Sequence, residues 1–235
     1  MKENKVAVIA AGGSGTRMGT EIPKQYIEIG GSPVIIHTIK KFTDVGFDRI
    51  LVLVPESFTG YTRDLLCEYG ISGVHVLAGG NSRNETILNA IDYLSQQNEL
   101  DESTILLTHD AVRPFVNKSI ILENLKVCTG KGPCTTAISA TDTIVKGGDT
   151  IDEIFDRKQM LQIQTPQTFK ALRFLKIYNS LSTEEKELAT DCSRLFTLAG
   201  EKVYTVLGDI SNIKLTYKSE IAFAEGYLAY MDKIK

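Results

Sequence analysis

Short runs rich in β-branched residues alternate along the first half of this chain with stretches whose apolar residues recur every three or four positions. Lys5–Ala10 (KVAVIA) is apolar without interruption after its lysine, the pattern of a strand buried on both faces. Arg49–Pro55 (RILVLVP), Val74–Ala78 and Thr104–Thr108 repeat it. Between them, Ile35, Ile36, Ile39 and Phe42 form one helical stripe behind Pro33, and Ile87, Ala90, Ile91 and Leu94 form another behind a Ser82–Glu85 capping box. A chain patterned in this way predicts an α/β fold: a Rossmann-like, mostly parallel sheet flanked by helices on both faces.

The rhythm changes after about residue 135. Thr135–Thr141 and Thr143–Lys146 read as strands, and Gly147-Gly148-Asp149 turns the chain into Thr150–Phe155. This predicts a β-arm at about residues 136–160, projecting from a single domain that spans residues 1–235. Helical patterns return at Ala171–Leu181, Thr183–Ala199 and Ser219–Met231, with Lys202–Leu207 as a late strand. A chain of 235 residues buries enough surface to need no disulfide or metal staple. Cys67, Cys128, Cys134 and Cys192 are scattered without a CxxC pair, which argues against zinc and redox motifs. The net charge of −3 argues against a general nucleic-acid or anionic-membrane binder. No 18-residue apolar run occurs and the N-terminus reads MKENK, so a soluble, cytoplasmic protein is expected.

The chemistry-bearing segment follows the first strand directly: Ala10-Ala11-Gly12-Gly13-Ser14-Gly15-Thr16-Arg17-Met18-Gly19. Glycines 12, 13 and 15 let the backbone turn sharply and approach a ligand, and successive N–H groups of such a loop can hold phosphate oxygens. Taken alone, the cluster serves equally well as a tight strand–helix turn. The dinucleotide fingerprint fails because Met18 stands where its third glycine belongs, and GxxxxGK[ST] matches in no register. Arg17 and Lys24 add a guanidinium and an ammonium, the groups a triphosphate requires, although Lys24 by itself reads as a surface lysine. Asp110 closes the Thr104–Thr108 strand, where open α/β sheets bind ligands, and suits either a magnesium ion or a turn cap. His109, with no partner evident in the sequence, reads as structural.

The succession AAGGxGxRMG, PKQ, THDAVRPF, TPQTF and NIKLT, running from about Val6 to Thr216, resembles the cytidylyltransferases that act on polyol phosphates. The resemblance implies the nucleotide-diphospho-sugar transferase variant of the α/β sheet and transfer of CMP from CTP to a polyol phosphate, with release of pyrophosphate. By this likeness Ala10, Ala11, Gly12, Gly13 and Gly15 hold CTP, with Arg17 and Lys24 on its triphosphate and Lys214 on its α-phosphate. Gly80, Asn81, Arg83 and Thr86 read the cytosine and ribose, although Asn81 replaces a common aspartate and also suits a plain turn. Asp110 contacts the substrate and lies near Mg²⁺. Arg113, Thr143, Arg157, Thr165 and Thr190 complete the acceptor site, and the arm bearing Thr143 and Arg157 reaches a neighbouring subunit, which implies a homodimer.

Within this family, THDAVRPF, TPQTF and the Ser180–Lys186 segment favour D-ribitol 5-phosphate as the acceptor, a precursor for teichoic acid or capsule. IAAGG at the first motif and Asn81 keep 2-C-methyl-D-erythritol 4-phosphate of isoprenoid synthesis as the alternative. A nicotinamide oxidoreductase is disfavoured by the glycine spacing, and a metal-dependent glycosyltransferase by the absence of any Asp-x-Asp triplet. An inactive nucleotide-binding regulator is the rival from another class. The joint presence of Arg17, Lys24, Asp110 and Lys214 argues against it.

Overall fold

The computed structural model describes residues 3–12 and 22–234. The first elements are β1 (Lys5–Ala10), a tight hairpin of β2 (Glu28–Ile29) and β3 (Ser32–Pro33), α1 (Val34–Thr43), β4 (Arg49–Val54), α2 (Thr59–Glu68), β5 (Val74–Ala78) and α3 (Arg83–Gln96). The hairpin turns on Gly30 and Gly31, both at positive φ (55° and 74°), as a two-residue hairpin turn requires. Next come β6 (Ile105–Asp110), α4 (Lys118–Gly130) and β7 (Cys134–Ser139). The small hairpin β8 (Val145–Gly147) and β9 (Ile151–Ile154) precedes β10 (Leu161–Lys170). The chain finishes with α5 (Ala171–Ser180), α6 (Thr183–Leu188), α7 (Cys192–Leu198), β11 (Tyr204–Leu207) and α8 (Lys218–Lys233).

Among the described residues the main sheet has seven strands in the order β5-β4-β1-β6-β10-β7-β11. All run parallel except β10, which lies antiparallel between β6 and β7. Both faces are covered, which explains the continuous apolar runs. Ala7 and Ile9 of β1 join a core with Ile35, Ile39 and Phe42 of α1, whereas Val6 and Val8 point into a second core with Ile87 and Ile91 of α3 and Phe174 of α5. The third cluster packs α8, through Ala224, against Ile29, Val34, Val112 and Phe115.

Several expectations shift here. The strand expected to open the arm is β7, a full member of the main sheet, so the arm proper is the β8–β9 hairpin beyond it. The single helix expected over Thr183–Ala199 is two helices, because Asp191 caps a new N-terminus by accepting a hydrogen bond from the Arg194 amide at 2.9 Å. Strand β10 was legible only as the motif TPQTF, since a proline within a run argues against a strand. Its ladder register shifts between Ile163 and Gln167, and Pro166 sits in that break.

Phe174 stacks on Phe169 at 5.0 Å, both fully buried. Phe174→Ala should cost about 3–5 kcal/mol, read as a lower urea midpoint, because the cavity opens inside a core bounded by helices on one side and the sheet on the other.

Candidate active site

Strands β1 and β6 are neighbours, yet the chain leaves them in opposite directions: β1 leads to β4 on one side, and β6 faces β10 and β7 on the other. The crevice at the carboxyl ends of such a pair is where open α/β sheets bind ligands. Ala10 and Asp110 are register partners at that point.

A cavity of about 230 Å³ opens there, and its walls include Ala10, Ala11, Gly12, Lys24, Gly80, Asn81, Arg83, Thr86, Asp110 and Lys214. Apart from Asp110, expected at the acceptor and the metal, these are all the residues expected to bind CTP or its phosphates that the structure describes; Gly13, Gly15 and Arg17 lie outside the described residues. Local chemistry explains the placement. Gln25, fully buried, donates to the Ala11 carbonyl at 2.6 Å, and Tyr26 bonds the Thr62 hydroxyl at 2.7 Å, so Lys24 is presented from a segment pinned on its C-terminal side. On the opposite wall, Ser82 caps α3 by accepting from the Glu85 amide at 3.1 Å. The Glu85 carboxylate accepts from the Asn81 amide at 2.7 Å rather than from Ser82, shifting the expected capping box by one residue. A Cβ on Gly80 would lie 2.3 Å from that of Glu85, so the loop can fold onto the helix start only with glycine there.

A second cavity of about 230 Å³ adjoins the first, lined by Arg113, Gln164, Thr165, Gln167, Thr190 and Asp191. Arg83, Asp110 and Lys214 belong to both walls. Thr190 reaches this cavity because the chain breaks between α6 and α7, where Asn84 donates to the Ala189 carbonyl at 2.7 Å. The sequence motif NIKLT is tied in by the Leu215 amide bonding Val112 at 2.9 Å and by the Asn212 amide group bonding the Thr165 carbonyl at 2.9 Å. Thr143 and Arg157 line neither cavity of this chain; both are exposed at the base of the arm, with the Arg157 guanidinium on the Thr141 carbonyl at 3.2 Å.

Asp110 is the electrostatic centre. One carboxylate oxygen takes a hydrogen bond from Arg83; the other meets Arg113 at 3.2 Å and Lys214 at 3.1 Å. Burial alone would raise its pKa, but Arg83, with Lys214 and Arg113, holds the carboxyl well below the usual carboxylate range. It therefore remains an anion and acts as neither general acid nor base near neutral pH. Burial works against the charge of Arg83 too, and Asp110 outweighs it. Three cations around one carboxylate leave the shared wall net positive.

Protein side chains alone do not make a magnesium site among the described residues. Among the described residues no three His, Cys, Asp or Glu side chains stand together to hold a metal ion, and Asp110 is the one carboxylate on the first cavity's wall. Both of its oxygens already serve cations, whereas a resident ion needs free oxygen donors.

Among the described residues, neither Cys192 nor Thr165 is activated as a nucleophile. Burial pushes the Cys192 thiol up to about 11, so it carries no thiolate near neutral pH. Thr165 stands 3.0 Å from the His109 Nδ1, but burial drives that ring down to about 4, too low for a base that activates hydroxyls. A doubly wound sheet ending in two cavities across one cationic wall suits an enzyme that brings two phosphorylated ligands together.

Residues 5–230 match the model of the IspD family, described as 2-C-methyl-D-erythritol 4-phosphate cytidylyltransferase, and the chain belongs to that family. It is a CTP-dependent cytidylyltransferase. The chain resembles the crystal structure of the 4-diphosphocytidyl-2C-methyl-D-erythritol synthase of Anaerococcus prevotii, at 29% identity and a TM-score of 0.78, over 97% of this chain and 96% of that one. The Francisella tularensis 2-C-methyl-D-erythritol 4-phosphate cytidylyltransferase shares the fold at 24% identity and a TM-score of 0.78, over 95% of this chain and 99% of that one. Among the described residues no helix is long and apolar enough to cross a membrane.

The depressed pKa of His109 carries a stability signature. Its folded value, about 4, lies below the ordinary 6.5, so between those values the unfolded chain binds a proton that the folded one refuses. Stability should be complete above pH 6.5 and fall as pH drops toward 4, by on the order of 3 kcal/mol from this residue. Urea titrations across that range should show a shallower fall in His109→Asn. Asp110→Ala, which strands three cations, should cost about 3–5 kcal/mol at neutral pH.

Proposed function

We propose that this enzyme transfers CMP from CTP to 2-C-methyl-D-erythritol 4-phosphate, giving the CDP-methylerythritol of isoprenoid synthesis and pyrophosphate. The family match and the Anaerococcus prevotii likeness support this acceptor. They do not support the ribitol phosphate and teichoic-acid assignment that the sequence motifs favour. The observation that carries the reading is the wall of Arg83, Asp110 and Lys214 shared by two cavities.

On this reading CTP fills the first cavity. Ala10, Ala11 and Gly12 lie along its phosphates; Gly80, Asn81, Arg83 and Thr86 face its nucleoside. The acceptor fills the second cavity, among Arg113, Thr165 and Thr190. A phosphate oxygen of the acceptor attacks the α-phosphorus in line; the new O–P bond forms as the bond to the β-phosphate oxygen breaks, and the electron pair leaves with pyrophosphate. Both substrates are anions, so the barrier falls mainly through holding them together and offsetting the charge on the α-phosphoryl group. Lys24, Lys214 and Arg17 do this, with Asp110 fixing the cations that surround it. Magnesium enters as the counter-ion of the triphosphate, so that MgCTP is the substrate.

Thr143 and Arg157 serve the acceptor phosphate of a second copy. Supporting this, Ile151 and Ile154 of the arm are 64% and 65% exposed, a surface apolar enough to be covered in a homodimer.

Pyrophosphate release from MgCTP should appear with methylerythritol phosphate and not with ribitol phosphate; the reverse preference overturns the acceptor, and CTP binding without release from either favours the inactive regulator. Lys24→Ala and Lys214→Ala should each lower turnover on the order of 10²-fold or more. Lys214→Ala mixed with Arg157→Ala should recover about a quarter of wild-type activity, since heterodimers regain one intact site; no recovery argues against shared sites.

A further inference from the structure

We propose that His109 is a positioning residue of the acceptor cavity. Through Thr165 it makes that point of the wall accept a hydrogen bond from the acceptor's hydroxyl chain rather than donate one to its phosphate. The inference rests on the acceptor reading above.

The His109 Nε2 lies 3.1 Å from the Arg113 carbonyl oxygen. A carbonyl only accepts, so Nε2 carries the ring hydrogen. In the neutral ring, Nδ1 then has only a lone pair. The Thr165 hydroxyl, 3.0 Å from Nδ1, must donate to it. The same hydroxyl oxygen accepts from the Asp110 amide at 3.1 Å. A hydroxyl has one hydrogen and two lone pairs, so Thr165 keeps a single lone pair for the cavity it lines. A polyol hydroxyl can donate to that lone pair, whereas an ionised phosphate oxygen offers only lone pairs of its own. Turning the Thr165 hydrogen toward a phosphate would leave Nδ1 buried without a donor, which is unfavourable. The ring is held in a packed setting: it is fully buried, with Phe42 against it at 5.2 Å between centroids. The acceptor's phosphate is thereby directed to the cationic groups, and its chain to Thr165.

Two substitutions separate the ring's two bonds. His109→Gln reaches the Arg113 carbonyl as a donor but offers Thr165 no acceptor. His109→Asn keeps an acceptor beside Thr165 and gives up the Arg113 bond. The expected result is a KM for methylerythritol phosphate raised about tenfold in His109→Gln, an unchanged KM for CTP, and recovery of most of the loss in His109→Asn. A deoxy analogue lacking the hydroxyl that meets Thr165 should penalise wild type and not His109→Gln. Equal impairment of both variants, or a CTP KM that moves with the acceptor KM, overturns the proposal. Long-range ¹H–¹⁵N spectra of the wild-type protein, which has three histidines, test it without any variant: the neutral Nε2–H tautomer is required, and an Nδ1–H ring or an imidazolium at pH 7 overturns it. Wild-type enzyme that turns over no polyol phosphate sinks the acceptor reading instead, and the ring's tautomer still decides the role of His109.

Discussion

Asp110 and its three cations are the interaction on which the site depends. Arg113 lies three residues beyond Asp110, whereas Arg83 at the start of α3 and Lys214 in the segment before α8 come from distant parts of the chain to the same carboxylate. Such a cluster is costly unless every charge is paired. Its members are held at fixed positions before any substrate arrives. The arrangement holds net positive charge on the wall between the two cavities, and a preorganised charge costs nothing further to orient when an anion binds there.

The fold supplies that point. Reversal of strand order between β1 and β6 opens a crevice, and the antiparallel β10 seals one side of it. Because the register of β10 breaks around Pro166, Gln164 and Thr165 leave the regular ladder and turn to the site, where Asn212 and His109 hold them. The second cavity is therefore a consequence of an irregular strand, as the first is of a topological switch.

Much of this was legible in the sequence. The buried strands and the α1 and α3 stripes follow from periodicity, since a doubly covered sheet demands them. The described residues after β1 that line the first cavity were legible because glycines and basic groups cluster there. Helix α4 left a signal in Asn117 and the spacing of Ile120, Ile121, Asn124 and Leu125, which the reading by stripes passed over. Helix α2 left little, burying only Thr62, Leu65 and Leu66. What the sequence could not show was pairing across distance: that Asp110 binds cations from three segments, that Gln25 anchors the loop carbonyl of Ala11, and that His109 has two partners. Apart from the two local ones to Arg113, these contacts join separate segments of the chain, and spacing carries no trace of them. The acceptor was the weakest inference for a related reason, since both polyol phosphates need the same cations and hydroxyl-bearing residues.

On the proposed function, CMP is transferred in a single direct displacement across one cationic wall, with no enzyme-bound nucleotidyl group. Stereochemistry at the α-phosphorus tests it most directly. With CTP made chiral by sulfur and oxygen-isotope substitution at that atom, one in-line attack gives inversion in the CDP-polyol product. Retention would require two displacements and a covalent intermediate, and would contradict the account.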